Sequence, residues 1–477
     1  MRAFDLKARK KRSREQRGTA LIMVLLALVV MTVFLTEVQE QTSTAFSSSI
    51  AARDRLIAEY HARSAINLSR LLLSLEPRVR GAIGPLMKML PIPGLASKVP
   101  QIPVWEFADQ VLGAYNDSDG AESFSALAGV STEGGANLGL GGTGHFELAI
   151  VDEDSKININ MAARDPISAT MTSAQLMALM AGPQYDKMFE DADLDGQTSD
   201  RRAVCAGLID WVDYNQDVEP CDQSNQNSSA GVEDNFYQAI GLDYFRKNAP
   251  FDSLEEMRLA RGMSEDFWTA FVDPDPRKPD KRVLTVWGQG KINVNSANAQ
   301  TIYGIVCANA PEHPMCPSSP SFDPAQAGSF ISLVDMVRSF TGGAPLFGSV
   351  NDFIQTMQGQ GMIGPMLTSF GGFTPVQQFK GDVKKQITTE SKMFSIYAEG
   401  VVPSRTNERE TRVSIQAVID FRNATDLFKD QGQPPQPNQP NQPTTPAPPN
   451  QPPGKGLAQQ QQMQTGADGT VVYYRIQ

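Results

Sequence analysis

The chain has 477 residues, 20% of them charged, and a net charge of −11 at neutral pH. That length supports about two or three domains with at least one sizeable core, which excludes a mini-protein held together by staples alone. Eight Lys and Arg lie within the first 18 residues, so the remainder carries about −17 and its charge argues against a nucleic-acid-binding body.

After this basic leader, residues Thr19 to Thr36 include no charged side chain. About 16 to 18 apolar positions make a short membrane span, yet a longer apolar run than most cleaved export signals have. No small-x-small cleavage site follows. Instead Phe46, Ile50, Leu56, Ile57, Tyr60, Ile66, Leu68, Leu71, Leu72 and Leu75 recur at mostly three- and four-residue steps, with no Gly or Pro before Pro77. The pattern predicts one helix from Thr19 to Leu75, apolar then amphipathic, about 85 Å long.

A basic leader ending in Gly, an uncharged apolar stretch and a long amphipathic continuation resemble the class III signal of type IV pilins and pseudopilins. The resemblance implies that a membrane prepilin peptidase cuts between Gly18 and Thr19 and methylates the new amine. The apolar half then stays on the protein, first as an anchor and later as packing surface in a filament. Most members of that family carry Glu at the fifth mature position, which here is Met23. That carboxylate neutralises the buried terminal ammonium of a neighbouring subunit, a charge that is costly to leave unpaired. A subunit with no neighbour ahead of it needs no such group, which suggests a filament tip.

Residues Arg78 to Gly144 are rich in Gly and Pro and read as loops. "HFELAIVDEDSKININ" then alternates like a strand, with Phe146, Leu148 and Ile150 on one face and Glu147 and Ala149 on the other. "KMFSIYAEGVV", "TRVSIQAVIDF" and "TVVYYRIQ" are further strands. The Pro/Gln-rich segment 430–467 before the last one cannot bury enough apolar surface to order itself. It is either a disordered loop inside the sheet or a tail with an incidental apolar "VVYY".

The middle of the chain reads as short helices, with Thr172 or Ser173, Asp252 or Ser253, and Ser264 as N-caps. "KININ" at Lys156 to Asn160 returns as "KINVN" at Lys291 to Asn295, each a short strand whose last Asn would cap the next helix. Some DNA-binding helical hairpins open this way, but neither copy continues into the Gly-rich hairpin that such modules offer to phosphate, so no nucleic-acid partner is expected.

Residues Ala203 to Phe245 hold eight carboxylates and no Lys or Arg. Such a cluster is either a solvated acidic face or a site for a hard cation, and oxygen donors on loops favour calcium. Upstream, Asp191, Asp193 and Asp195 occupy the first EF-hand positions, but Arg202 stands where the closing Glu belongs, so a second metal site there is incomplete. The four cysteines fall into close pairs, Cys205 with Cys221 and Cys307 with Cys316, without C-x-x-C spacing. They read as two local disulfides in an oxidising compartment, or else as four reduced core thiols.

"RGTALIMVLL", "DEDSKININ", "LIDWVDYNQDVEP", "GVEDNFY", "SLEEMRLARGMS" and "GKINVNSANAQTIYGIV" together resemble the type II secretion system protein K family, the large minor pseudopilins. The resemblance implies an α+β, pilin-like fold: a long N-terminal helix and an antiparallel sheet, interrupted by a large inserted all-helical domain. It implies calcium in the insert, with ligands among Asp210, Asp213, Asp217, Glu219, Glu233 and Asp234. It also implies a place with minor pseudopilins I and J at the tip of the pseudopilus, contacts with other pseudopilins and the inner-membrane assembly platform, and a single-pass inner-membrane anchor with a periplasmic body. The expected organisation is leader 1–18, helix 19–75, first sheet part 76–160, insert 161–390 and second sheet part 391–477.

His61, His145 and His313 fall on unrelated elements and no G-x-S-x-G or P-loop occurs, so no catalysis is expected. Two other readings are the tip subunit of a type IV pilus or DNA-uptake filament with an adhesin-like head, and a signal-anchored calcium-dependent hydrolase.

Overall fold

The computed structural model of the chain describes residues 4–87, 99–116, 144–193, 196–222, 229–232, 235–341, 343–361, 363–371, 373–380, 383–403, 410–424 and 468–477. Its first element, α1 (Phe4–Met87), is one continuous helix of 84 residues, about 126 Å long. It runs through Gly18 and beyond both predicted ends. Pro77 and Pro85 lie inside it. An interior proline costs about 3 kcal/mol, and contacts from outside the helix offset that here. Arg80 pairs with Glu390 at 2.8 Å, while buried Glu76 accepts from the Ile102 N–H at 2.9 Å.

A short helix, α2 (Ala108–Leu112), leads to β1 (His145–Asp152), whose Phe146 and Ile150 are buried as the alternation predicts. The strand does not continue to Asn160. Residues Glu153–Ser155 turn as a 3-10 helix, with the Asp152 carboxylate accepting the Asp154 N–H at 2.9 Å. A side chain that satisfies its own backbone two residues on competes directly with strand pairing.

The insert follows. Its elements are β2 (Ile157–Asn158), α3 (Pro166–Met180), α4 (Arg201–Val212), the hairpin of β3 (Asp217–Val218) and β4 (Ser229–Val232), α5 (Asn235–Ala239), α6 (Glu265–Phe267) and β5 (Leu284–Thr285). Then come β6 (Ile292–Asn293), α7 (Ala299–Asn309), α8 (Pro324–Thr341), α9 (Val350–Met357), α10 (Gly364–Gly371), α11 (Val383–Gln386) and β7 (Ile387–Thr388). It is therefore mainly helical and not all-helical, since strands this short leave no alternation to read.

The repeat is real in three dimensions. β2 pairs in parallel with β5, and β6 pairs in parallel with β7, so each "KIN" opens a half that a later strand closes. The middle Asn makes the turn: Asn158 accepts from the Asn160 N–H and Asn293 from the Asn295 N–H, both at 3.0 Å. The last Asn, predicted to cap a helix, instead ties down a distant loop. Asn160 exchanges hydrogen bonds with the Phe251 backbone at 2.9 and 2.7 Å, and Asn295 does the same with Phe347 at 2.9 and 2.9 Å.

Caps were legible only in part. Ser264 caps α6 by accepting from the Phe267 N–H at 3.0 Å. α3 starts earlier than predicted, at Asp165, which precedes Pro166 and accepts from the Ser168 N–H at 2.8 Å; Thr172 and Ser173 lie inside the helix and bond back to its carbonyls. Asp252 and Ser253 cap nothing, because the segment that follows is a 3-10 turn over Glu255–Leu259 without a side-chain cap.

Four strands form the main sheet among the described residues: β1, then β8 (Met393–Val402), β9 (Thr411–Asp420) and β10 (Thr470–Ile476), in that spatial order and all antiparallel. β10 pairs with β9, so the Pro/Gln segment is a connection within the sheet and not a tail; it lies outside the described residues, as does 117–143. α1 packs on β1, β8 and β9. The approach is close enough that a Cβ on Gly400 would meet the Ala58 carbonyl at 1.8 Å. Ala58, Ala62, Ile396, Ile415 and Ala417 belong to this core, and a separate, larger core fills the insert from Ile157 to Ile387. The insert thus begins just after Asp152 and not at 161.

Four of the five positions from Asp152 to Lys156 join the two bodies. Asp154, 2% exposed, accepts from the N–H groups of Gln289, Lys392 and Met393 and from the Gln289 carboxamide at 2.7–3.0 Å. Asp152 accepts from the hydroxyls of Ser296 and Ser391. Buried Glu153 and Lys156 pair at 3.2 Å. Burial pushes both Asp152 and Asp154 above the usual carboxylate range. Replacing Asp154 with Ala strands these donors, so Asp154→Ala is expected to cost about 3 to 5 kcal/mol. Urea unfolding of the detergent-solubilised chain measures the loss, and Asp154→Asn should cost less.

Candidate functional site

Two features carry the sequence-predicted site residues. The first is the exposed half of α1. Every large apolar side chain from Leu21 to Leu35 is more than half exposed, although such side chains are normally buried. Among the described residues α1 supplies the one helix long and apolar enough to cross a membrane, and it fits a single-pass anchor. Gly18 sits at its basic end, with open space where a Cβ would be, and Met23 is 72% exposed. The nearest carboxylates beyond the apolar run are Glu37 and Glu40.

The second feature is the acidic loop. α4 starts at Asp200, whose carboxylate accepts from the Ala203 N–H at 2.8 Å, and its Cys205 is bonded to Cys221, closing a span of 16 residues. The second pair, Cys307 and Cys316, is bonded as well. Trp211 anchors the end of α4 by stacking on Phe251 with ring centroids 5.9 Å apart. That anchor buries Asp210 and Asp213 on either side of it.

Asp210 accepts from the Glu219 N–H at 2.9 Å, so the returning chain brings Glu219 against it. Asp213 accepts from the Asn215 carboxamide at 2.5 Å, and its Oδ1 is buried with no hydrogen-bond partner. Burial, with the negative charge of Asp213 and Glu219 nearby, pushes Asp210 up to about 8. Burial also pushes Asp213 up to about 6 and raises Glu219. The sequence reading stopped one residue short of an internal counter-ion: Arg246 is buried and its guanidinium faces Asp210 and Asp213.

Other predicted ligands go elsewhere. Asp217 is exposed in β3, and Glu233, Asp234 and Asp195 lie outside the described residues. Asp193 spends both oxygens on the turn, accepting from the Gln197 N–H and the Ser199 hydroxyl at 2.8 Å each, while Asp191 is exposed. Arg202, in the closing position of the EF-hand pattern, pairs with Asp222 at 3.0 Å. Among the described residues no group of three or more His, Cys, Asp or Glu is placed to hold a metal ion. Asp210, Asp213 and Glu219 nonetheless suit a hard cation in donor type, and the orphaned Asp213 oxygen is the kind of atom such a cation would take up.

Sequence reasoning missed the joint at Asp152–Lys156. Its signal was three adjacent carboxylates within a strand pattern, where solvent-facing alternation allows only every second one.

A carboxyl whose folded pKa is raised holds its proton in the folded state over a range where the unfolded chain has lost it. Stability from Asp210 is therefore full below about pH 4 and lost progressively as pH rises toward 8. In chelator, denaturant midpoints should fall between pH 5 and pH 8, and Asp210→Asn should flatten that slope. Cys221→Ser should lower stability by about 2 to 4 kcal/mol in the same assay.

Residues 155–272 match the family model of type II secretion system (T2SS) protein K, first domain. No curated protein matches the chain at a comparable level. A chain in the crystal structure of the GspK-GspI-GspJ complex from the enterotoxigenic Escherichia coli type 2 secretion system is 14% identical, with a TM-score of 0.39 over 80% of this chain and 94% of that one. The domain match begins one residue after Asp154 and takes in the acidic loop: within this chain, residues 155–272 are similar to the first domain of the type II secretion system protein K family.

Proposed function

We propose that the chain is a minor pseudopilin of type II secretion that stands at the tip of the pseudopilus and initiates its assembly. The observation that carries the reading is the combination of a protein K domain with a single helix whose apolar half lies wholly outside the fold. Removing fifteen consecutive positions of such surface from water, into lipid first and against neighbouring helices later, gives a driving force that no other exposed surface among the described residues matches. Met23 leaves the subunit without the carboxylate that would receive a subunit ahead of it. The insert, larger than the sheet body and hung on one end of β1, would obstruct growth past it.

In this reading a prepilin peptidase cuts between Gly18 and Thr19 and methylates the new amine, the anchor crosses the inner membrane, and the body works in the periplasm. Minor pseudopilins I and J are the partners and folded exported proteins the cargo; the role is structural and not catalytic. Calcium bound by Asp210, Asp213 and Glu219 would replace proton uptake as the means of neutralising the acidic loop.

Mass spectrometry of the chain from membranes of a host carrying a prepilin peptidase should find Thr19 at the amino terminus; an uncleaved leader or another start overturns the pseudopilin reading. Gly18→Val should leave the leader uncleaved. For the metal, calcium at pH 8 should raise the melting temperature of the chelated protein by several degrees, and Asp213→Asn should reduce that gain. No shift on adding calcium removes the cation from the proposal.

A further inference from the structure

The main sheet has two edges, and they are treated differently. The outer edge of β1 is plugged by Asn116, whose carboxamide donates to the Phe146 carbonyl at 2.7 Å and accepts from the Phe146 N–H at 2.6 Å. Those are the two bonds a neighbouring strand would make, and α2 packs against β1 beside them. Among the described residues nothing pairs with the outer edge of β10.

The register says which groups face outward there. Gln477 and Ser414 exchange both backbone bonds, at 2.9 and 3.3 Å. Inward and outward pairs alternate along antiparallel strands, so Arg475 opposite Gln416 and Tyr473 opposite Val418 also turn their backbone groups inward. The N–H and C=O of Tyr474 and Ile476 are left pointing away from the sheet. Their side chains lie opposite Ala417 and Ile415, on the face that α1 covers elsewhere, yet they are 44% and 42% exposed.

The strand itself is held firmly. Tyr473 packs on Trp287 with centroids 5.2 Å apart, Arg475 pairs with Glu255 at 2.8 Å, and Arg70 of α1 donates to the carbonyls of Asp468 and Gly469 at 3.0 Å each. Thr470 to Ile476 contain no Lys, Glu or Pro, the residues that commonly guard an exposed edge.

We infer that β10 is a docking strand, whose outer edge takes an extended segment of a neighbouring minor pseudopilin as a fifth strand of the sheet. The inference rests on the function proposed above. Along the edge, donors and acceptors alternate as small positive and negative charges, and an extended backbone is the partner that matches them in both sign and spacing. Tyr474 and Ile476 supply an apolar floor on one side, so the incoming strand carries aliphatic side chains on that face.

The test is co-purification of the full chain in detergent with minor pseudopilins I and J. Proline at 474 removes an outward N–H and spares the ladder to β9, so Tyr474→Pro should reduce recovered complex about tenfold or more while thermal unfolding stays unchanged. Tyr474→Phe keeps both the N–H and the apolar ring and should retain the complex. Arg475→Pro removes an inward N–H and should lower the melting temperature. Should Tyr474→Pro also unfold the strand, Ile476→Lys decides in its place: loss of the complex supports the docking strand and full recovery overturns it. Undiminished complex with folded Tyr474→Pro overturns the docking strand alone. A wild-type chain that does not co-purify with I and J overturns both this inference and the reading beneath it.

Discussion

One buried carboxylate holds the molecule's two bodies in fixed relation. Asp154 receives hydrogen bonds from Gln289, at the passage between the two halves of the insert, and from Lys392 and Met393, where the chain re-enters the sheet. An insert of more than 200 residues hung between two adjacent strands would swing on whatever bonds cross that gap. Concentrating acceptors there turns two chain crossings into one knot, since a buried charge left without its donors costs far more than a surface one. Asp152 and the Glu153–Lys156 pair lie on the same turn and complete it. Farther out, Arg282 reaches the Tyr397 hydroxyl of β8 at 2.6 Å and Arg475 reaches Glu255.

That fixed relation gives α1 its directional meaning. The helix is buried on the sheet from Ala58 to Leu73, its apolar half projects beyond, and past the buried part Arg80 pairs with Glu390, where the insert returns to the sheet. In the proposed pseudopilus tip, a force applied to the apolar half would reach the insert through packed alanines at Ala58 and Ala62 and through the Asp154 joint. The acidic loop is a separate feature of the insert. It is a local device: a disulfide closes the loop, Trp211 stacks on Phe251 at its base, and the Glu219 N–H donates to the buried Asp210.

Much of this was legible in the chain and part of it was not, for reasons that differ by element. The 3.6-residue pattern of α1 was plain, but its end was read at Leu75, ahead of Pro77, because the cost of proline is local and the bonds of Arg80 and Glu76 that offset it involve residues farther along the chain. The β1 alternation was correct through Asp152 and failed where side chains captured their own backbone. "KININ" and "KINVN" were seen as repeats, while the work of Asn160 and Asn295 depended on loops 91 and 52 residues distant. Arg246 was missed because it lies one residue past the acidic stretch, although in space it faces the centre of it.

By itself the sequence determined the apolar run, the basic leader, the missing charge at Met23, the two cysteine pairs and the order of strands around an insert, because each is a property of neighbours along the chain. The tertiary structure alone decided where the carboxylates of the joint find their donors, which acidic side chains are buried together, that the Pro/Gln segment is flanked by paired strands, and which sheet edge is left open. Those outcomes turn on desolvation and on hydrogen bonds that local pattern does not encode, from nine residues apart for Asp210 and Glu219 to more than two hundred for Asp154 and Lys392. A buried charge or an unpaired edge exists only once the rest of the chain has excluded water from one side of it.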